Sequence, residues 1–374
     1  MSDVKHRVSI IGCGRLGQHY AEIYAALPNT EIVSIVEVNA ARRAVVGERF
    51  GVKGEYGDVK EMLKEDVPDL GVVVTPTKYM KECVIACAEA GVKGISTDKP
   101  IAARLSDADE MVKACEDRGI VFAGGNLQRA MSEVQEAAGR LHAGEYGAVR
   151  GAVVHGFGGE ISGGGCQYVS VLRLLTNAEV SEVVAWGGPD EAMERDDDDG
   201  LIIHGCFTMS NGMVCPVFGE QLTEVNHGVS VWTEDALIEW AWGPPNVYRG
   251  FDESGARVKI DPKYTPVEAV GSDYMYTSIQ SFLSAVETGS KLWISGHDLR
   301  QALEVAIASK LSAQRGSVPV KLPLADRSHC LYPRAYRWLG GDEVGQEQPA
   351  EEARIYGFAM VQEMKRKRQQ AQKK

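Results

Sequence analysis

The rhythm of apolar and polar positions changes about a third of the way along the chain. Before that point, short apolar runs alternate with stretches whose apolar residues recur every three or four positions. Val8-Ser9-Ile10-Ile11 is the first run, and Leu16, Tyr20, Ile23 and Tyr24 line one side of the helical pattern behind it. A second run, 31–36, ends at Glu37, and helices are predicted over 40–50 and 58–65. The run 70–74 is apolar throughout, as befits a strand of a parallel sheet covered on both faces, and it ends at Thr75-Pro76-Thr77. A helix over 79–90 closes on Gly91, a favourable residue past a helix end, and a strand over 94–97 leads to Asp98-Lys99-Pro100. Ser106 is placed to cap a helix running to Arg118, with Asp109 in the capping-box position, and a further strand covers 120–123. Strand and helix in alternation predict a doubly wound parallel sheet over residues 1–124. Right-handed crossovers bring Gly12, Glu37, Thr75 and Lys99 to one rim.

From residue 125 to 374 the pattern is of another kind. A helix over 132–143 leads to Gly144-Glu145-Tyr146-Gly147, and strand-like stretches follow at 148–156, 182–186, 201–209, 213–222, 229–233, 236–242 and 257–260. Asn211-Gly212 is a strong hairpin turn, and Glu253-Ser254-Gly255 is another turn. Helices are expected at 168–175, 274–288, 298–314 and beyond Pro349. The expectation is an α+β domain: a mostly antiparallel open sheet with helices on one face. Its other face needs a cover, and a homodimer or homotetramer supplies one. Val214, Val217, Trp232, Trp240 and Trp242 are the apolar residues costly to expose there.

The turn Gly12-Cys13-Gly14-Arg15-Leu16-Gly17 joins the first strand to the first helix. Its first glycine makes a tight turn, its second lets backbone approach a pyrophosphate, and its third lets helix and strand pack closely. The helix N-terminus then faces the anion. Glu37 follows twenty residues after Gly17, where a carboxylate accepts hydrogen bonds from a ribose diol and repels a 2′-phosphate. A dinucleotide site follows, with NAD favoured over NADP, although Arg42 and Arg43 one helical turn on soften that preference. The bland alternative is a glycine-rich turn of an ordinary α/β protein.

Composition changes the picture only at the margins. The chain of 374 residues carries a formal net charge of -12, which argues against nucleic acid as a partner. The basic stretch Lys365-Arg366-Lys367-Arg368 reads as a solvated tail. Eight cysteines are scattered with no Cys-x-x-Cys pair, as in a protein with reduced, mostly buried thiols. The charged start leads straight into a strand, with neither an apolar leader nor a membrane-spanning run, so a cytoplasmic protein away from membranes is expected. Asp196 to Asp199 is an acidic run that reads as a solvated turn, with a calcium site as its alternative.

Taken in order, several motifs resemble the glucose–fructose oxidoreductase / inositol dehydrogenase (Gfo/Idh/MocA) family. They are the glycine turn, Val72-Val73-Val74-Thr75-Pro76-Thr77, Asp98-Lys99-Pro100, Asn126-Leu127-Gln128-Arg129 and Gly144-Glu145-Tyr146-Gly147. The stretches 282–288 and 302–316 also resemble it. The resemblance implies NAD held by Gly12, Gly14, Arg15, Leu16, Gly17, Glu37, Thr75, Pro76 and Lys99. It implies hydride transfer with a secondary alcohol of a sugar, polyol or glycoside, and a cis peptide before Pro100. The usual Gly-x-His-x-x-Asp pattern is broken: Gln167 stands for the histidine and Ser170 for the aspartate, Asp98 replaces the motif glutamate, and Met80 sits where a histidine is common. Glutamine exchanges no proton near neutral pH. Lys99 is therefore the leading acid/base group, with burial and a nicotinamide cation expected to lower its pKa.

Tyr168 is either a second catalytic candidate or a core aromatic. Asn126, Arg129, His155 and Gln167 are candidate substrate ligands beside Lys99; Arg129 reads equally as a structural ion pair and His155 as a core histidine. The glycines around Glu160 are expected to shape the substrate pocket. Two other functions remain open: a non-catalytic NAD-binding regulator or scaffold, and a glycosidase using bound NAD for transient oxidation.

Overall fold

The computed structural model describes residues 5–157, 161–219, 227–271 and 273–333. The helix expected beyond Pro349, the basic tail, and Gly158, Gly159 and Glu160 of the glycine-rich loop lie outside the described residues.

The first sheet is built from β1 (His6–Ile11), β2 (Thr30–Val36), β3 (Gly54–Tyr56), β4 (Leu70–Val73), β5 (Gly94–Thr97) and β6 (Val121–Ala123). All pairings are parallel, in the order β3-β2-β1-β4-β5-β6. Helices α1 (Arg15–Ala26), α2 (Ala40–Phe50), α3 (Val59–Glu65), α4 (Thr77–Ala90) and α5 (Leu105–Glu116) make the crossovers. The strand order reverses between β1 and β4, so the crevice at their C-terminal ends is where a doubly wound sheet binds its ligand. All four residues of β4 and of β5 are buried, which is why these strands read as unbroken apolar or small-residue runs.

One local expectation fails. Ser106 does not cap α5; the N-cap is Arg104, two residues earlier, with no side-chain cap. The amides of Leu105 and Ser106 donate instead to the carbonyls of His329 and Arg327, at 3.1 and 2.9 Å. Asp109 is taken by Arg327, at 2.6 and 2.7 Å, and by Arg300 at 3.2 Å. A returning segment of distant chain has replaced the local cap.

The second part contains α6 (Ser132–His142), β7 (Val149–His155), α7 (Gly165–Thr176), β8 (Val180–Gly188), α8 (Asp190–Glu194), β9 (Ile202–Met209) and β10 (Val214–Phe218). There follow β11 (Gly228–Thr233), β12 (Leu237–Trp240), β13 (Asn246–Phe251), β14 (Arg257–Ile260), α9 (Asp273–Thr288), α10 (Gly296–Gln314) and β15 (Val320–Lys321). Nine strands form one sheet in the order β14-β13-β12-β11-β7-β10-β9-β8-β15, antiparallel except where β7 meets β10. Gly212 closes the β9–β10 hairpin with φ 83°. α7 and α10 pack on one face. α9 returns to the first sheet: Met275, Ile279, Phe282 and Leu283 join Val8, Ile10 and Tyr20 in a single core.

The opposite face of the large sheet bears Trp186, Val214, Phe218 and Trp232, all at least 40% exposed. Val217 and Trp240, expected there, are buried on the helix-bearing side instead, because their places in the pleat alternate with the exposed set. All eight cysteines are free. Among the described residues no helix is long and apolar enough to cross a membrane.

Candidate active site

The rim of the first sheet is shaped for a dinucleotide. Gly12 has φ 94°, and a Cβ there would stand 2.7 Å from the carbonyl oxygen of Val74. A Cβ on Gly17 would overlap the carbonyl oxygen of Gly12. These two glycines are therefore required by close approach and by φ. The first turn of α1, with Arg15 and Leu16, has Gly14 as its N-cap, no capping side chain and no acidic residue. α4 likewise starts after Pro76 without a side-chain cap. Thr75 Oγ1 and Thr77 Oγ1 are buried with no hydrogen-bond partner among the described residues. Uncapped helix ends and orphaned hydroxyls on one rim fit a ligand rich in phosphate and hydroxyl oxygens.

Glu37 lies just past β2 and is buried. Its Oε2 accepts the Cys13 amide at 3.0 Å and faces Arg42 at 3.2 Å, while Oε1 accepts the Asn39 amide at 2.9 Å. Arg43 donates to the carbonyl oxygen of Glu37 at 2.5 Å. Both arginines are thus turned to Glu37. A carboxylate has about four acceptor sites, so room remains for a ribose hydroxyl.

Lys99 follows β5 and is buried, and the Lys99–Pro100 peptide is cis. Its amide donates to Asp98 Oδ1 at 2.7 Å, so the aspartate that replaces the motif glutamate is tied to the local backbone. Cys166 lies in reach of the Lys99 charge; burial pushes its thiol up to about 12, and Lys99 pulls the other way. Cys166 Sγ donates to the carbonyl oxygen of Ser162 at 2.8 Å. Ser162 in turn gives its amide and its hydroxyl to Asp198, at 2.8 and 2.6 Å. Asp198 is fully buried, so the acidic run is not simply a solvated turn: one member anchors the loop entering α7. Among the described residues no three His, Cys, Asp or Glu side chains group as a metal site.

Gln167 lies in the first turn of α7, and both ends of its amide are directed at backbone. Oε1 accepts the Gln128 amide at 2.7 Å, and Nε2 donates to the carbonyl oxygen of Asn126 at 3.1 Å. It positions the 126–129 segment, where sequence had suggested a group aimed at substrate. That segment starts beside Gly125, where an added Cβ would meet the carbonyl oxygen of Thr97 at 2.9 Å, so it begins next to the end of β5. Asn126 itself is half-buried.

Arg129 points away from the rim. It donates to the carbonyl oxygens of Trp293 and Ser170, at 2.9 and 3.1 Å, and pairs with Asp298 at 3.3 Å. Of its two sequence readings the structural ion pair is the one seen. Arg129, Arg173, Glu179 and Asp298 border a cavity of about 700 Å³ between the two sheets. It is bordered by Ile120 and Val121 at the start of β6, the opposite end of the strand from Asn126.

His155 is not in the cleft. It stacks on Phe218 at 5.4 Å and 12° on the uncovered face of the sheet, while its neighbour Val154 faces the helices. Tyr168 is buried, edge-on to Trp240 and Trp242 at 5.8 and 5.9 Å, and its hydroxyl accepts the Trp242 indole N–H at 3.2 Å. Burial raises the phenol; the indole hydrogen bond works against that. Trp240 in turn donates to Gln128 Oε1 at 3.2 Å. The sequence reading passed over Gln128 and treated Trp240 and Trp242 only as sheet residues; their i, i+2 spacing at a strand end was the signal available.

Fold and rim together define a chain with an N-terminal Rossmann sheet followed by a second, mostly antiparallel sheet. Residues 6–125 match the family model described as "Oxidoreductase family, NAD-binding Rossmann fold". Over these residues the chain is similar to the Gfo/Idh/MocA oxidoreductases. A 4-carboxy-2-hydroxymuconate-6-semialdehyde dehydrogenase of Sphingobium sp. is 30% identical over 139 residues, 37% of this chain and 44% of that protein. A myo-inositol 2-dehydrogenase of Thermotoga maritima is 30% identical over 134 residues, 35% of this chain and 40% of that protein. The chain thus spans less than half the length of these curated relatives. The fold extends further: an oxidoreductase from Agrobacterium radiobacter, solved with NAD+, L-tartaric acid and magnesium, superposes with TM-score 0.70. That match is 18% identical and covers 85% of this chain and 98% of that structure.

Proposed function

We propose that the protein is a nicotinamide-dependent oxidoreductase acting on a secondary alcohol of a sugar, polyol or glycoside. The observation that carries this reading is Lys99, a buried residue just past the C-terminal end of β5, on the same rim as the glycine turn. NAD, when bound, supplies the hydride acceptor. Gly12, Gly14 and Gly17 with the start of α1 hold its pyrophosphate, Glu37 its adenosine ribose, and Thr75 and Pro76 flank it. Lys99 Nζ takes the hydroxyl proton as the carbon-bound hydride departs. An amine does so only in its neutral form, so oxidation should quicken as pH rises. Asn126 is placed to hold a further substrate hydroxyl. Gln167 acts through the loop it fixes. Tyr168, its hydroxyl oriented by Trp242, is the reserve proton carrier. The protein is further read as cytoplasmic, with no nucleic-acid partner.

One observation favours a second reading. With Gln167 committed to backbone and Ser170 Oγ buried without a partner among the described residues, neither residue supplies the usual acid/base pair, as in an NAD-binding regulator. Incubation of the protein with NAD and a panel of inositols, aldoses and glycosides separates the two. Accumulation of NADH with any of them supports the oxidoreductase; tight NAD binding with no NADH formed supports the regulator. Hydrolysis without net NADH would point to the glycosidase.

A further inference from the structure

Trp242 is a residue that neither the dinucleotide site nor the sheet explains. Its φ is 61°, in the left-handed region that a bulky side chain rarely enters. Backbone strain of this kind persists where surrounding contacts enforce it and often marks a binding site. Those contacts are present. Trp240 stacks on one face of the indole at 5.7 Å and 29°, Tyr168 meets it edge-on, and the indole N–H is spent on the Tyr168 hydroxyl.

Its exposure is the second observation. Trp242 is 39% exposed, although Trp240 beside it is 1% exposed. It does not belong to the uncovered face of the sheet, where Trp186 and Trp232 lie. It lies past the end of β12, and its contacts with Trp240 and with Tyr168 of α7 put it on the side that carries α7. It is also held by the first turn of α7, next to Gln167 and the 126–129 segment. Trp240 stacks on the indole and Tyr168 takes its N–H, yet the residue stays open to solvent.

We infer that Trp242 is a stacking platform for a ring-shaped substrate, one presenting a flat face of axial C–H bonds, such as a β-pyranoside or a cyclic polyol. An indole face is negative and C–H edges are weakly positive, so the contact is favourable and needs no hydrogen bond. The platform adds selectivity for rings over open-chain polyols, whose C–H groups do not lie in one plane. This rests on the reading of the site as one for sugars or polyols, and it names the class.

The test is equilibrium binding by calorimetry, with NADH present so that no turnover intervenes. The probes are methyl β-D-glucopyranoside, scyllo-inositol and, as the open-chain control, sorbitol. Trp242→Gly, which suits the left-handed backbone, should weaken the ring compounds about 10-fold, the scale of one aromatic contact, and leave sorbitol unchanged. Trp242→Phe should retain most of the ring affinity. Equal affinities in wild type and Trp242→Gly, equal losses for rings and sorbitol, or no binding of either ring by the wild type would each overturn the inference. The parent reading fails separately: ring binding that depends on Trp242, with no NADH formed from NAD, would remove the oxidoreductase and keep the platform.

Discussion

Glu37 accepts two backbone amides and a guanidinium, yet remains the one carboxylate described at the end of β2. A 2′-phosphate brought to it would meet a like charge costing about 1–4 kcal/mol near 4 Å. Because Arg42 partly neutralises the charge, the low end applies, and NAD should bind about 10-fold more tightly than NADP. Calorimetry with both cofactors checks this, and Glu37→Ser should narrow the difference; tighter NADP binding by the wild type would refute it. Asp298 governs stability instead. Burial alone would raise its carboxyl, but Arg129 and Arg173 outweigh that and hold it below the usual range. Desolvation pulls Arg129 below its ordinary value, whereas Arg173, held by both Glu179 and Asp298, rises despite burial; Asp298 meets Arg173 at 3.0 Å and Arg129 at 3.3 Å. A depressed carboxyl stabilises the fold fully above its unfolded value of about 3.9, and the contribution is lost as pH falls through the folded value. Asp298→Asn should therefore cost about 3–5 kcal/mol in urea unfolding at about pH 7. The difference should shrink at about pH 3; a constant difference would contradict the pairing. Of the residue-level chemistry, the glycine turn, Glu37 and Lys99 were legible in sequence because main-chain constraints fix them. The aim of Gln167, Arg129 and His155 was not, since it depends on partners from elements distant in the chain.

At the scale of elements, α9 is held on the first sheet through a glycine. A Cβ on Gly94 in β5 would lie 2.7 Å from the Phe282 ring and 2.9 Å from Val286. Gly94→Ala should destabilise the protein by about 1–3 kcal/mol through overpacking. Adding Phe282→Leu should recover part of that loss in thermal melting, and an unchanged midpoint in Gly94→Ala would deny the contact. Most strands and helices of the first sheet were readable because buried strands and clean helical periods mark them; the short edge strand β3, only part-buried, was missed. β13 was missed: it follows Pro244-Pro245, and Arg249, Gly250 and Phe251 at its end are exposed, so it shows no sustained alternation. The false cap at Ser106 has a similar origin, since the segment 327–330 that satisfies α5 lies over 200 residues away.

For the molecule as a whole, the uncovered sheet face is the open question of assembly. Trp186, Val214, Phe218 and Trp232 present apolar surface that a monomer would leave in water. We expect a dimer or larger species through this face in sedimentation at micromolar concentration, and Val214→Asp should shift it toward monomer; a wild-type monomer would contradict the expectation. The two domains have a common purpose in the account, which is to bring a secondary alcohol between a dinucleotide on the rim and the amine of Lys99. Steady-state turnover of Lys99→Met, on whichever polyol the wild type oxidises, tests that most directly when NAD affinity is measured alongside. The account predicts a fall in turnover of about 100-fold or more, with NAD affinity nearly intact. Near-normal turnover in Lys99→Met would contradict it and remove the lysine from the chemistry.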